Sequence, residues 1–170
     1  MQTLRRAQIV LLLLTLTLLS GCGFHLRGAE DVRLPVKSLY IGLPANSPLR
    51  VALVRNIEAA GGTEIVNDPK KAEAVMEVIQ PEKRDRSLLS LNGEGQPVEF
   101  TLLYRFSFHV RDNNGHELIP VTAFSLKRDM SFNSSYALAK EQEADNLYRD
   151  MQSELAGQIL HRLSAMKLPQ

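Results

Sequence analysis

The feature that most restricts the fold is an alternation of apolar and polar residues over residues 98–111. The apolar phase consists of Val98, Phe100, Leu102, Tyr104, Phe106, Phe108 and Val110. The other phase is polar apart from Leu103, and it contains Glu99, Thr101, Arg105, Ser107, His109 and Arg111. A period of two over this length predicts a long strand with one face on a core and the other in water.

A hairpin is expected directly after this strand. Residues 113–115 are Asn-Asn-Gly, and these residue types tolerate the positive φ that tight hairpin turns need. The returning strand should cover about residues 117–132, where one phase is apolar at Phe124, Leu126, Met130 and Phe132. Ile119 and Val121 do not fit that phase. Together with Pro120 they predict a bulge or a sheet-edge position.

Two segments show the apolar spacing of helices. The first begins with Ser47 and Pro48, which are favoured at the N-cap and at the first helical position. Leu49, Leu53 and Ile57 follow at spacings of four, and two glycines at residues 61–62 indicate the end. The second helix is expected over about residues 136–166. Its apolar stripe is Leu147, Met151, Leu155, Ile159, Leu163 and Met166.

Three weaker strands precede the long one, over residues 36–43, 63–66 and 72–79. The first two flank the first helix and predict a βαβ unit with parallel strands, although residues 63–66 could instead be a loop. Pro81 should limit pairing because it lacks an N–H donor, and residues 87–97 are taken as a loop. The order β-α-β-β-β-β-α predicts an α+β fold of two layers, with both helices on one face of the sheet.

The N-terminus has the layout of a bacterial export signal: Arg5 and Arg6, then an apolar run over residues 9–19, then Leu-Ser-Gly-Cys. The run is too short to span a bilayer as a helix, which needs about 20 residues. The last four residues resemble a lipobox. That resemblance implies cleavage before Cys22, a diacylglycerol on its sulfur and an acyl group on its new amino group. The alternative is an ordinary signal peptide with a free thiol.

We therefore expect three segments: a removed signal peptide (1–21), a lipidated N-terminus and tether (22–35), and one α+β domain (36–170). Residue 23 is Gly, whereas retention in the inner membrane would favour Asp at this position. By resemblance to the lipoprotein sorting rule, this implies transport to the outer membrane. Removal of residues 1–21 leaves 18 basic and 19 acidic residues. This balance argues against a nucleic-acid partner, which would favour a basic surface.

No motif for catalysis or cofactor binding is evident. The histidines at positions 25, 109, 116 and 161 are scattered, and none belongs to a His-Glu-x-x-His pair. There is no Gly-x-Ser-x-Gly elbow, and the glycines at positions 93 and 95 are too few for a phosphate-binding loop. We therefore expect a protein that is not an enzyme and that needs no metal or cofactor.

Residues 21–28, Gly-Cys-Gly-Phe-His-Leu-Arg-Gly, resemble the start of the mature chain in the LptE family of lipopolysaccharide-assembly lipoproteins. Residues 137–141, Ala-Leu-Ala-Lys-Glu, and the Asn-Gly pair at residues 92–93 followed by Gln96 are further resemblances. They imply a four-stranded mixed sheet with two helices packed on one face.

The resemblance also implies a role. Family members form a one-to-one complex with the outer-membrane β-barrel LptD, lie in its lumen from the periplasmic side, and assist both its assembly and the delivery of lipopolysaccharide to the outer leaflet. A polar strand face suits a barrel lumen, which is polar. The alternative is a periplasm-facing lipoprotein subunit of another envelope transport or barrel-assembly machine.

Lipopolysaccharide is polyanionic, so basic side chains are its expected ligands. The candidates are Arg84, Arg86, Lys127, Arg128 and Lys140, and Lys140 lies in the family-like motif of residues 137–141. For each, the alternative is a solvated surface charge. Three leucines in the expected loop, Leu88, Leu89 and Leu91, could contact the barrel wall or acyl chains, or fold back onto the core.

Overall fold

The computed structural model describes residues 32–168. The expected signal peptide, Cys22 and most of the expected tether therefore lie outside the described residues. The strands are β1 (Ser38–Ile41), β2 (Glu64–Val66), β3 (Ala74–Leu91), β4 (Pro97–Asp112) and β5 (Glu117–Ser131). The helices are α1 (Pro48–Ala60) and α2 (Ala137–Ser164), and short 3-10 turns cover Pro69–Lys71 and Ser134–Tyr136.

The described strands form one mixed sheet in the order β2-β1-β3-β4-β5. β1 is parallel to both β2 and β3, whereas β4 is antiparallel to β3 and to β5. The expectation of four strands is wrong by one, because β2 pairs with β1 and is not a loop. The Thr63 hydroxyl supports this pairing by donating to the carbonyl oxygen of Val36 at 2.8 Å.

Both helices cover the same face of this sheet, as the alternation in β4 predicted. One core cluster contains the apolar phase of β4 from Leu102 to Val110, together with the inward residues of both helices. The fully buried helix residues include Leu49, Leu53, Ile57, Met151, Leu155 and Ile159. The two-layer α+β arrangement is therefore confirmed.

Helix α1 begins and ends where its sequence predicted. The Ser47 hydroxyl accepts a hydrogen bond from the backbone N–H of Arg50, and Pro48 occupies the first turn, so one of the orphan N–H groups of the helix start is satisfied. At the other end Gly61 has a φ of 72° and donates its N–H to the carbonyl of Ile57 at 3.1 Å. A residue with a side chain adopts that φ only at a cost.

Strand β3 is much longer than expected and continues past Pro81. Its pairing with β4 shifts register between Val78 and Gln80 and again between Gln80 and Lys83, is regular from Lys83 to Leu88, and shifts twice more before Leu91. These irregularities accommodate the missing N–H of Pro81. The prediction of a loop over residues 87–97 is therefore wrong. The connection is only residues 92–96, where the Asn92 side-chain oxygen accepts from the backbone of residues 94 and 96.

Strand β5 is an edge of the sheet, and it bulges near Pro120 as predicted. Phe108 pairs with Thr122, but Val110 pairs with Ile119, so β5 carries one extra residue at this point. The extra residue reverses the phase of the side chains. Ile119 is buried on the core side, whereas Val121 is 59% exposed.

Candidate functional site

The strand directions place several candidate residues at one end of the domain. This end, which we name the distal end, contains the β3–β4 connection, the last residues of β5 and the first turns of α2. The opposite, proximal end contains the start of β1, the β4–β5 turn and the end of α2. The chain enters the described domain at Val32, just before β1, and therefore at the proximal end.

Arg86 joins strand β3 to the start of helix α2. Its guanidinium donates to both carboxylate oxygens of Glu141, at 2.6 Å and 2.8 Å, and its central carbon lies 5.5 Å from the ring centroid of Phe100. These hydrogen bonds hold the pKa of the Glu141 carboxyl below its usual range and raise the pKa of Arg86. A bidentate pair of this kind fixes the geometry of both groups.

Two further candidate cations lie on the helix side of the same end. One row across β3, β4 and β5 contains Arg86, Leu102 and Arg128. The backbones of the two arginines are therefore about 10 Å apart, which is twice the spacing of neighbouring strands. Arg128 donates to Glu154 of α2. Lys140 contacts Glu143 at 2.8 Å and the hydroxyl of Ser131 at 3.0 Å. Each of these cations is therefore already paired with a carboxylate of α2.

Arg84 is held by aromatic rings. Its guanidinium carbon is 5.8 Å from the ring centroid of Tyr104 and 5.2 Å from that of Tyr148, which is within cation–π range. The Tyr104 hydroxyl donates to Glu82, which also accepts from Ser47 at 3.0 Å. Burial and the bond to Glu82 raise the pKa of Tyr104. Within residues 32–168, Arg84 has no carboxylate partner within salt-bridge distance.

The structure separates Lys127 from the other four candidates. Lys127 pairs with Leu103 across β4 and β5, and these two side chains point to the face that the helices leave open. The alternation of β5 carried this signal in the sequence, because Leu126 and Arg128 share the buried phase and Lys127 does not. Four of the five basic candidates are therefore brought to one surface.

The three leucine candidates lie at the end of β3, where the structure forms a strand and not a loop. Leu88, Leu89 and Leu91 are 51%, 50% and 52% exposed, so they do not fold back onto the core. Tyr136 and Leu138, at the start of α2, are also exposed and belong to the same distal end. The sequence pattern did not single out this second pair, although Leu138 stands outside the apolar stripe of the helix.

The open face of the sheet is polar and internally paired. Glu77 accepts from Arg111 at 2.7 Å and contacts His109 at 2.7 Å. Asp85 pairs with Arg105 and with Lys83. The bonds from Arg111 and His109 hold the pKa of Glu77 below its usual range, and the bond from Arg105 does the same for Asp85. These carboxylates and cations of the open face are therefore paired with one another within the sheet.

The described residues offer no assembled metal site. No group of three His, Cys, Asp or Glu side chains within residues 32–168 is placed to hold a metal ion. The imidazoles of His109 and His116 each face a carboxylate, that of Glu77 and that of Asp112. Neither α1 nor α2 is long and apolar enough to cross a membrane.

Comparison with known proteins assigns the fold and the family. A family model described as LptE, lipopolysaccharide-assembly, matches residues 36–163. The LPS-assembly lipoprotein LptE of Yersinia enterocolitica is 29% identical over 161 residues, which are 93% of this chain and 76% of that protein. LptE of Pectobacterium atrosepticum is 26% identical over 151 residues, 88% of this chain and 80% of that protein.

Solved structures agree with this assignment. The solution NMR structure of an uncharacterized lipoprotein B from Nitrosomonas europaea is 34% identical with a TM-score of 0.70, and the match covers 84% of this chain and 91% of that one. The crystal structure of rare lipoprotein B from Shewanella oneidensis has the same fold, with a TM-score of 0.66 at 22% identity over 76% and 95% of the two chains. The solved structures share the fold, and the family model over residues 36–163 shows that the chain belongs to the LptE family of lipopolysaccharide-assembly proteins.

Proposed function

We propose that this chain is a lipid-anchored outer-membrane protein that forms a one-to-one complex with the β-barrel LptD. In this role it lies in the barrel lumen from the periplasmic side, assists assembly of the barrel, and helps to deliver lipopolysaccharide to the outer leaflet. The observation that carries the proposal is the family match over residues 36–163, together with relatives that are named as LPS-assembly lipoproteins.

The anchor follows from the N-terminal sequence. Residues 1–21 are the removed signal, and residues 22–35 are the lipidated start and tether. Acyl chains contribute about 0.8 kcal/mol for each buried CH₂, so two or more chains on Cys22 would hold the protein firmly in the bilayer.

The distal end has the chemistry that an amphipathic, anionic lipid requires. Arg84, Arg86, Arg128 and Lys140 supply cations, and exposed leucines at the end of β3 supply apolar area. The α2 carboxylates that pair with these cations are surface groups, and such pairs contribute only about 0–1 kcal/mol. Phosphates of lipopolysaccharide can therefore displace Glu141, Glu143 and Glu154 at small cost.

The open face is the proposed contact with the polar barrel interior. Its charges pair within the sheet, as with Glu77 and Arg111, so it can face a polar wall without leaving buried charges unmatched. In the same proposal Leu88, Leu89 and Leu91 reach the barrel wall or the acyl chains from the tip of the domain.

Binding of purified lipopolysaccharide to the intact chain tests the ligand part of this proposal. Lys140→Asp should weaken binding by about tenfold, and Lys127→Asp is the matched control because its side chain lies on the other face. A variant with both changes should bind as weakly as Lys140→Asp alone. Equal binding by Lys140→Asp and the unchanged protein, with the fold intact by circular dichroism, would remove the proposed site.

Crosslinking tests the barrel contact. A photoreactive residue in place of Leu89 should crosslink to LptD in cells, whereas one in place of Glu58, on α1 at the proximal end, should do so much less. Mass spectrometry of the mature N-terminus tests the anchor, since an unmodified Cys22 thiol would contradict it.

A further inference from the structure

A groove runs between the edge strand β5 and the second half of helix α2. It encloses about 610 Å³, and its lining includes Phe124, Gly157, His161 and Ala165. A smaller hollow of about 260 Å³ continues it toward the proximal end, past Ile119 and Met166. The two hollows share Arg162 and Ala165, so they form one trough along the first half of β5. The cationic candidates and exposed leucines of the distal end do not line it.

The absence of a side chain at Gly157 contributes to the width of this trough. A Cβ at Gly157 would meet no heavy atom within 4 Å, although Gly is a poor residue for the interior of a helix. Phe124 forms part of the floor, and it stacks on Phe108 with ring centroids 6.0 Å apart. This part of the floor is therefore apolar, and there is open space beside Gly157.

Strand β5 supplies the second element of the site. Within residues 32–168 it pairs only with β4, so every second residue directs its N–H and C=O away from the sheet. Pairing with β4 is regular from Thr122 to Leu126, beside the trough. Any ligand that fills the trough against this segment also covers these backbone groups, and covering them without hydrogen bonds is costly.

The charge of the rim selects among possible ligands. Arg162 and Lys167 line the proximal part of the trough, and Lys127, whose side chain lies on the open face of the sheet, directly follows residues 122–126 along β5. The carboxylate in the lining, Glu154, is already neutralised by Arg128. Cations therefore stand at both ends of the segment, and its middle is apolar.

We propose that this trough binds an extended segment of a protein partner as an added β-strand on β5. The segment has apolar side chains in its middle and acidic side chains at its ends. Its backbone satisfies the free N–H and C=O groups of residues 122–126, which an acyl chain cannot do. A second copy of this chain is a poor occupant, because its matching segment ends in Lys127 and Arg128, with the same sign as the rim.

The test uses the intact protein and a capped peptide of about seven residues, a common strand length. The peptide alternates valine and threonine in its centre and carries glutamates at both ends, and a control peptide carries lysines at the ends. On saturation with the acidic peptide, hydrogen exchange of the outward-facing amides in residues 122–126 should slow by about tenfold or more. The lysine peptide should not produce this protection.

Two variants make the test specific. Gly157→Leu places its Cβ in open space and its side chain at the trough, and it should weaken peptide binding by about tenfold. Gln142→Leu adds the same side chain to an exposed position of α2 outside the trough and should leave binding unchanged. Double substitution of Arg162 and Lys167 by Glu should weaken the acidic peptide and favour the lysine peptide.

Other occupants would give different results. If dodecanoic acid fills the trough and competes with the peptide, while the amides of β5 gain no protection, the site is an acyl-chain site and the proposal is wrong. Dimerisation of the chain that Gly157→Leu abolishes would identify a second copy as the occupant. Unchanged peptide affinity in Gly157→Leu would also overturn the proposal. None of these outcomes depends on lipopolysaccharide or on LptD.

Discussion

Arg86 donates to both carboxylate oxygens of Glu141, and through this pair the middle of strand β3 is tied to the first turns of helix α2. Both residues lie at the surface, so the pair contributes little to stability. Its main consequence is that a cation proposed to bind an anionic lipid is occupied by a carboxylate of the same chain. Arg86 is therefore neutralised by Glu141 in the free chain.

From this relationship we predict that Glu141→Gln tightens lipopolysaccharide binding. The change frees the Arg86 guanidinium and removes a charge that repels phosphate, and a gain of about two- to fivefold is expected from the usual size of surface pairs. Affinity measured at constant ionic strength checks this. Glu58→Gln removes a charge of the same sign at the proximal end and should have no effect. Weaker binding by Glu141→Gln would show that the carboxylate supports the site.

The hydrogen bond from the Tyr104 hydroxyl to Glu82 predicts that Tyr104→Phe lowers the stability of the protein. The substitution removes the hydroxyl that donates to Glu82 and leaves a partly buried carboxylate with one hydrogen bond fewer. The expected loss is about 1 kcal/mol in the free energy of unfolding by urea. Tyr40→Phe is the control, because no hydrogen bond to the Tyr40 hydroxyl is present within residues 32–168. Equal stability of the two variants would contradict the proposed role of Glu82.

The open face predicts a specific acid sensitivity. Arg111 and His109 depress the pKa of Glu77 in the folded state below its ordinary value of 4.5. The stabilising effect of this carboxylate is therefore fully present above that value and is lost as the pH falls through the folded pKa. Thermal unfolding between about pH 3 and pH 7 should show a smaller loss of stability on acidification in Glu77→Gln than in the unchanged protein. Parallel curves would contradict the assignment.

Two glycines predict opposite responses to substitution by alanine. Gly157 lies inside α2 with open space around its missing Cβ, so Gly157→Ala should stabilise the protein by about 0.8 kcal/mol through helix propensity. Gly61 ends α1 with a φ of 72°, so Gly61→Ala should destabilise it by about 1 kcal/mol through the left-handed backbone. Chemical denaturation checks both, and the same sign of change in both would contradict this account.

Much of the fold could be predicted because local signals and tertiary structure agree. The alternation over residues 98–111, the Asn-Asn-Gly turn and the cap at Ser47 each specify an element without help from distant residues. Strand β3 beyond Pro81 could not be predicted in this way. Residues 82–91 are mostly exposed on both faces, so they show no apolar period, and only the long partner β4 makes them a strand.

The candidate site could likewise be predicted only in part. The basic candidates could be named from the sequence. Lys127 and Arg128 are neighbours in a strand, so the sequence also predicts that their side chains lie on opposite faces of the sheet. That Arg86 meets Glu141 across 55 positions of sequence could not be predicted, because it depends on where α2 lies on the sheet. The trough beside Gly157 could not be predicted either, because a single glycine in a helix indicates only a position of low helix propensity.

Co-purification of the intact, lipidated chain from detergent-solubilised outer membranes tests whether LptD is its partner. We expect a stable one-to-one complex with LptD that survives size-exclusion chromatography and is not formed by an unrelated lipoprotein with the same anchor. Recovery of the chain without LptD, or in a stable complex with a different envelope machine, would contradict it.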